Sequence, residues 1–247
     1  MNRSTEIQTS QNEPFVKLQD GADLKNWSKD DEIIYNQQLR QKAKVEFYQQ
    51  AFEFIRAQSI IGDYFEFGCH KVRTFRMALT EARKKNIVSM NFYAFDSFDG
   101  LPDLGDKNSE HNDIYNAGAL TTSEKSFMSI IKEHKLFENK VHTVKGFYEN
   151  SLTNELKNKL IKDNAKIAFV TLDCSFYDSF VDAFNFIENF IQEGTIIYID
   201  DYRVTYKGNP TKGAPKAFKE FQNKSQYKFE PFLDIGWFGK SFIAYKD

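Results

Sequence analysis

Five times along the chain a short apolar run gives way to a stretch with helical spacing, and this alternation restricts the fold more than any other feature. The runs are "DYFEFG" (63–68), "NFYAFD" (91–96), "KVHTVKG" (140–146), "KIAFVTLD" (166–173) and "TIIYID" (195–200). Helical patterns fall at about 72–85, 124–137, 151–162, 178–192 and 213–222. Strands that alternate with helices imply a parallel sheet, because each parallel return needs a crossover. "IAFV" and "TIIYI" are apolar at successive positions, as strands buried on both faces are. In the helix at 178–192, Phe180, Phe184, Ile187 and Ile191 recur on one face, and Gly194 reads as its C-terminal cap. Thr121 and Glu124 have capping-box spacing ahead of the helix at 124. The last two runs, "YKFEPFLDI" and "KSFIAYK", are separated only by "GWFG", which is too short for a crossover and predicts an antiparallel hairpin. The expected fold is α/β and doubly wound, with a mostly parallel seven-stranded sheet and a C-terminal antiparallel hairpin.

Residues 1–30 are polar and read as an N-terminal arm, and 31–247 as a single domain. Its first part, 31–60, is helical, with Leu39, Ala43, Phe47, Ala51, Phe54 and Ile55 at spacings of three and four. A 247-residue chain that is 41% hydrophobic can bury a sizeable core. Its 33 basic and 35 acidic residues nearly cancel and form no long basic run, which disfavours nucleic acid as a partner. No apolar run approaches the roughly 18 residues of a membrane span. The polar start has no apolar segment of the secretory kind, and the two cysteines, Cys69 and Cys174, suggest no disulfide framework. A cytoplasmic, reducing location is expected. The N-terminal helix offers a surface for a homodimer. The stretch 97–123 is long, polar and glycine-bearing, and is expected to act as a lid over a site.

In open α/β sheets ligands bind beyond the carboxyl ends of the strands. Four of the five strands end at or near a carboxylate: Glu66, Asp96, Asp173, and the pair Asp200–Asp201. Unpaired charges are costly to bury, so such a collection implies partners. Asp96 either accepts hydrogen bonds from ribose hydroxyls or caps the turn "DSFDG". Gly68 allows a tight turn against a ligand. His70, Val72 and Arg73 stand where a pyrophosphate cradle would have glycines, which disfavours NAD and FAD but leaves room for an adenosine ligand without phosphates. Asp173, Asp200 and Asp201 converge if their strands are neighbours, and three carboxylates without nearby His or Cys suit a hard cation such as Mg²⁺. The alternative is that one aspartate caps the following helix and another faces solvent. Hydroxyls on such an ion lose protons more readily. Phe98 and Phe147 offer flat rings for an adenine. His70 and His111 lie near the rim, within reach of acid–base work, whereas His134 and His142 read as surface residues.

Taken in order, "EFG" (66–68), "AFDSFDGLP" (94–102), "KGFYENSL" (145–152), "LDCSFYDS" (172–179) and "IDDY" (199–202) resemble the macrocin O-methyltransferase family from about residue 60 to the C-terminus. The resemblance implies a Rossmann-like, class I, S-adenosylmethionine-dependent methyltransferase acting on sugar hydroxyls. Carried over, it implies that Glu66, Phe67 and Gly68 border the methionine part of the cofactor, with Thr74 nearby. Asp96 would hold the ribose, with Ser97 and Phe98 beside it, and Gly146 and Phe147 would lie near the adenine. Asp173, Asp200 and Asp201 would be Mg²⁺ ligands, and Asp173 would also take the acceptor's proton. The chain departs from the family pattern at His70, Val72 and Arg73, and at Cys174 and Ser175, where the family has a glycine and a second acidic residue. The expected activity is Mg²⁺-assisted O-methylation of a sugar or glycosylated small molecule. The alternatives are a catechol-type O-methyltransferase and a non-catalytic binding module with a degenerate cofactor turn.

Overall fold

The computed structural model describes residues 29–104 and 116–247, with side chains from residue 39 onward. The N-terminal arm up to residue 28 and the centre of the expected lid, including His111, lie outside the described residues. Strands β1 (Asp63–Phe67), β2 (Phe92–Asp96), β3 (Val141–Lys145), β4 (Ile167–Leu172) and β5 (Ile196–Ile199) are parallel. Strands β6 (Lys228–Ile235) and β7 (Gly239–Tyr245) form the antiparallel hairpin, and β7 pairs with β5. The order across the sheet is β3-β2-β1-β4-β5-β7-β6. The direction of winding reverses between β1 and β4, which is where such sheets open a ligand crevice.

Helices α1 (Lys29–Ala57), α2 (Arg73–Lys84) and α3 (Glu124–His134) cover one face of the sheet. The other face carries α4 (Tyr148–Ser151), α5 (Asn154–Lys162), α6 (Tyr177–Ile187) and α7 (Gly213–Gln222). Every residue of β1, β4 and β5 is buried, as their continuous apolar runs require. Successive strand side chains point to opposite faces. Tyr64 and Tyr198 therefore pack under α1, whereas Phe65, Phe67, Ile197 and Ile199 pack under the second helical layer. Thr171 also faces α1, within hydrogen-bond reach (2.7 Å) of the Tyr48 hydroxyl. Two residues further along each of these three strands come Glu66, Asp173 and Asp200, so the pleat turns all three towards α1.

Three local expectations need correction. The cap of α3 is Ser123, whose hydroxyl accepts from the Ser126 amide at 3.2 Å, while Thr121 donates to the Gly118 carbonyl. Helix α6 ends at Ile187, so Gly194 (φ +83°) shapes the turn into β5, its amide bonded to Ala244 O. On α1, Phe47, Ala51 and Ile55 are buried as the stripe predicts, but Leu39 is 62% exposed. Among the described residues no helix is long and apolar enough to cross a membrane.

Candidate active site

The rim is built first by the turn after β1. Gly68 has φ +85°, and a Cβ there would lie 2.3 Å from the Asp173 carbonyl oxygen, so only glycine fits between β1 and β4. The chain then turns through Cys69 and His70 to Val72, which caps α2 at φ 64°. A β-branched residue in the left-handed region costs on the order of 1–3 kcal/mol. Val72 is fully buried, and burying a valine side chain gains about 1.5–3 kcal/mol, which offsets the strain. The turn is thus held by packing where a glycine would relax it.

Asp96 closes this half of the rim. Its Oδ2 accepts the amides of Cys69 (2.6 Å) and His70 (3.3 Å), and its Oδ1 accepts that of Phe98 (2.7 Å). A carboxylate has about four acceptor sites, so roughly one remains for a ligand hydroxyl. The two readings of Asp96 are therefore compatible: it caps the turn and keeps one lone pair.

The other half is acidic. Leu172 pairs with Ile199, and the ladder continues through Asp173 N to Phe67 O (2.9 Å) and Asp200 N to Leu172 O (3.0 Å). In-register tips bring Asp173, Asp200 and Asp201 together, with one carboxylate oxygen from each lying within 4.8 Å of the others. Two cations from α1 meet them. Lys44 Nζ lies 2.8 Å from Asp200 Oδ2 and 3.8 Å from Asp173 Oδ2. An Arg40 guanidinium nitrogen lies 3.0 Å from Asp201 Oδ1 and 3.5 Å from Asp200 Oδ2. Tyr198 donates a further hydrogen bond to Asp200.

Burial, reinforced by Asp200, pushes the Asp173 carboxyl well above the usual range. Burial would raise Asp200 too, but Lys44 and Arg40 outweigh it and hold this carboxyl low. Burial lifts Asp201 against the pull of Arg40. On the other side, burial opposes the Lys44 charge, yet Asp200 and Asp173 keep the ammonium above the ordinary lysine range. Burial also pushes the Cys174 thiol up, away from the thiolate a nucleophile needs.

A cleft of about 240 Å³ opens here. Gly68, Thr74, Asp96, Ser97, Phe147 and the three aspartates line it. Four other singled-out residues have their side chains, or in Gly146 its backbone, set apart from the lining. Phe67 stacks on Phe95 in the core (4.3 Å between centroids), and Phe98, at φ 52°, packs edge-on to Phe127. Gly146 is bonded through its amide to Asp96 O. Glu66 is fully buried under α1, accepting from Tyr64 and from Thr74 Oγ1 (2.8 Å). Burial pushes it up to about 8 despite those donors. His70 Nδ1 lies 2.7 Å from Leu120 O, tying the turn to the far end of the 97–123 stretch. Arg40 and Lys44 escaped the sequence reading. Their signal was present: with Tyr48 they occupy i, i+4 and i+8 on the buried side of a helix, where cations need partners.

The donor types suit the two groups such a rim implies. A short glycine turn, a carboxylate with a spare lone pair and an accessible ring suit an adenosyl ligand without phosphates. Three converging carboxylates suit a hard cation, although their charge is already partly met by Lys44 and Arg40.

Sheet order and rim define a class I methyltransferase of Rossmann-like fold, and the chain is an S-adenosylmethionine-dependent O-methyltransferase. The profile of the macrocin-O-methyltransferase (TylF) family matches residues 5–243, and the chain belongs to that family. Among solved structures it is similar to the O-methyltransferase NovP, with 18% identity, TM-score 0.67, and 81% of this chain and 79% of that one covered. It is similar to the calicheamicin methyltransferase CalS11 at 16% identity and TM-score 0.67, with 93% and 95% covered. TomG of Streptomyces achromogenes, an O-methyltransferase of tomaymycin synthesis solved with S-adenosylmethionine, aligns at 10% identity and TM-score 0.52, with 82% and 80% covered. A search of curated proteins finds no match.

Proposed function

We propose that this enzyme methylates a hydroxyl of a sugar or glycosylated small molecule, and that Asp173, Asp200 and Asp201 hold Mg²⁺ while it does so. The observation that carries this reading is the convergence of the three carboxylates in the cleft that also holds the Gly68 turn and Asp96. When bound, S-adenosylmethionine supplies an electrophilic methyl carbon and Mg²⁺ a charge that favours the alkoxide. The remaining work falls to the chain. Asp96 offers its free lone pair to a ribose hydroxyl, and Phe147 offers a ring face. Asp173 stands at the acceptor side, where its carboxylate would take the hydroxyl's proton. Holding donor and acceptor in line supplies much of the rate. A sugar acceptor draws support from CalS11, described as a TDP-rhamnose 3'-O-methyltransferase.

The test is methyl transfer from S-adenosylmethionine to a panel of nucleotide sugars and catechols, with products read by mass spectrometry. A methylated sugar is expected, lost in chelator and restored by Mg²⁺. Asp201→Ala should lower turnover at least about 100-fold while S-adenosylhomocysteine binding persists in calorimetry. Full activity in chelator would overturn the metal role, and methylation of catechols alone would overturn the sugar assignment.

A further inference from the structure

Lys44 is 7% exposed, and lysines are almost never buried that far without a partner. Its partners are the carboxylates assigned above to a divalent ion, at 2.8 Å to Asp200 and 3.8 Å to Asp173. Arg40, one helical turn earlier, reaches Asp201 and Asp200 and rests its guanidinium 4.5 Å from the centroid of the Phe238 ring at the hairpin turn. Between them the two side chains contact all three aspartates and bring two positive charges, as many as one divalent ion carries. Asp200 Oδ2 is the oxygen in shortest contact with Lys44. A magnesium ion bound at about 2.0–2.1 Å from that oxygen would share it with an ammonium, and like charges that close repel strongly.

We infer that Lys44 and Arg40 are this chain's own counter-cation for the Asp173–Asp200–Asp201 cluster, in competition with the divalent ion. The inference rests on the proposed metal role. Lys44 must leave Asp200 for the ion to bind there, and Arg40 must loosen from Asp201. α1 is thereby coupled to occupancy of the cluster: its charged face is seated when the ion is absent and released when the ion is present. Both residues act on the ion through the aspartates, as positioning residues.

Mn²⁺, whose free form is counted directly by electron paramagnetic resonance, serves as the probe. It is titrated into the full-length protein as wild type, Lys44→Gln, Arg40→Gln and the double variant Lys44→Gln/Asp201→Ala. Lys44→Gln should bind Mn²⁺ at least about 10-fold more tightly than wild type, and Arg40→Gln more tightly by a smaller factor. The double variant should lose the gain, which places the ion at the cluster. Thermal melts confirm folding, and Arg40→Gln, which replaces a partly exposed side chain, carries the test if Lys44→Gln fails to fold. Mn²⁺ affinity unchanged or weakened in both single variants, with wild-type binding intact, would overturn the competition and leave the metal role standing. No Mn²⁺ binding by any variant would overturn both.

Discussion

Asp96 and Asp200 stand at the same edge of one sheet, yet they are neutralised by opposite means. Asp96 is held by three backbone amides, the furthest only 27 residues away in the chain. Asp200 is held by side-chain cations 156 and 160 residues away. Amides are fixed dipoles that cannot leave, so the Asp96 half of the rim is permanent. Ammonium and guanidinium groups sit on flexible stems and can be exchanged for another cation. The half expected to hold the cofactor is built rigidly, and the half expected to hold the ion and acceptor is built to be displaced.

The largest break in this contrast should come from Asp200→Ala. It strands the buried Lys44 charge, and removing one partner of a buried pair costs about 3–5 kcal/mol, to be read from urea unfolding. A loss below about 1 kcal/mol would mean that α1 is seated by its apolar face alone. Asp96→Ala is next. It leaves the Cys69 and Phe98 amides without their acceptor, with an expected loss of about 2 kcal/mol and a parallel drop in S-adenosylhomocysteine affinity by calorimetry. If affinity falls while stability holds, Asp96 serves the ligand more than the turn.

Glu66→Gln should have a smaller effect at low pH, where both side chains are neutral, and a pH-dependent one above about pH 4.5. The folded carboxyl sits at about 8 against an ordinary 4.5, so between these values the folded protein carries a proton that the unfolded chain has lost. The contribution of Glu66 is full below about pH 4.5 and fades as pH rises through about 8. Wild-type stability relative to Glu66→Gln should fall by up to about 1.4 kcal/mol per pH unit over that window, measured by thermal or urea unfolding. A pH-independent difference would show that Glu66 stays ionised in the fold. Lys42→Ala should do least. It belongs to an exposed pair with Glu46 on the same helix as Arg40 and Lys44, and a change within about 0.5 kcal/mol is expected.

The same contrast governs what could be read from the sequence. Strand ends follow from where an apolar run stops, so Asp96, Asp173, Asp200 and Asp201 could be placed at one rim without coordinates. Helix α7 at 213–222 was equally legible from its pattern. Arg40 and Lys44 share helical spacing with Tyr48, which marks them as cations in need of partners, but nothing local says that the strand ends supply them. Side-chain direction was legible only in part. The pleat that turns Tyr64 under α1 turns Glu66 there too, but a residue beside a glycine turn reads as a ligand contact until burial is known. Phe98 looked available for stacking, and its positive φ instead sends the ring to Phe127. Val72 shows the limit most plainly. Its conformation suits glycine, and only the packing around it makes valine tolerable.

The absent side chain at Gly68 sets a boundary on how this scaffold can diversify. Backbone from one strand end presses so closely on the next that even a methyl group has no room between them. The floor of the pocket therefore has a fixed width that substitution cannot adjust. Accommodation of larger or smaller acceptors has to come from the walls, where helices and loops bear the variable surface.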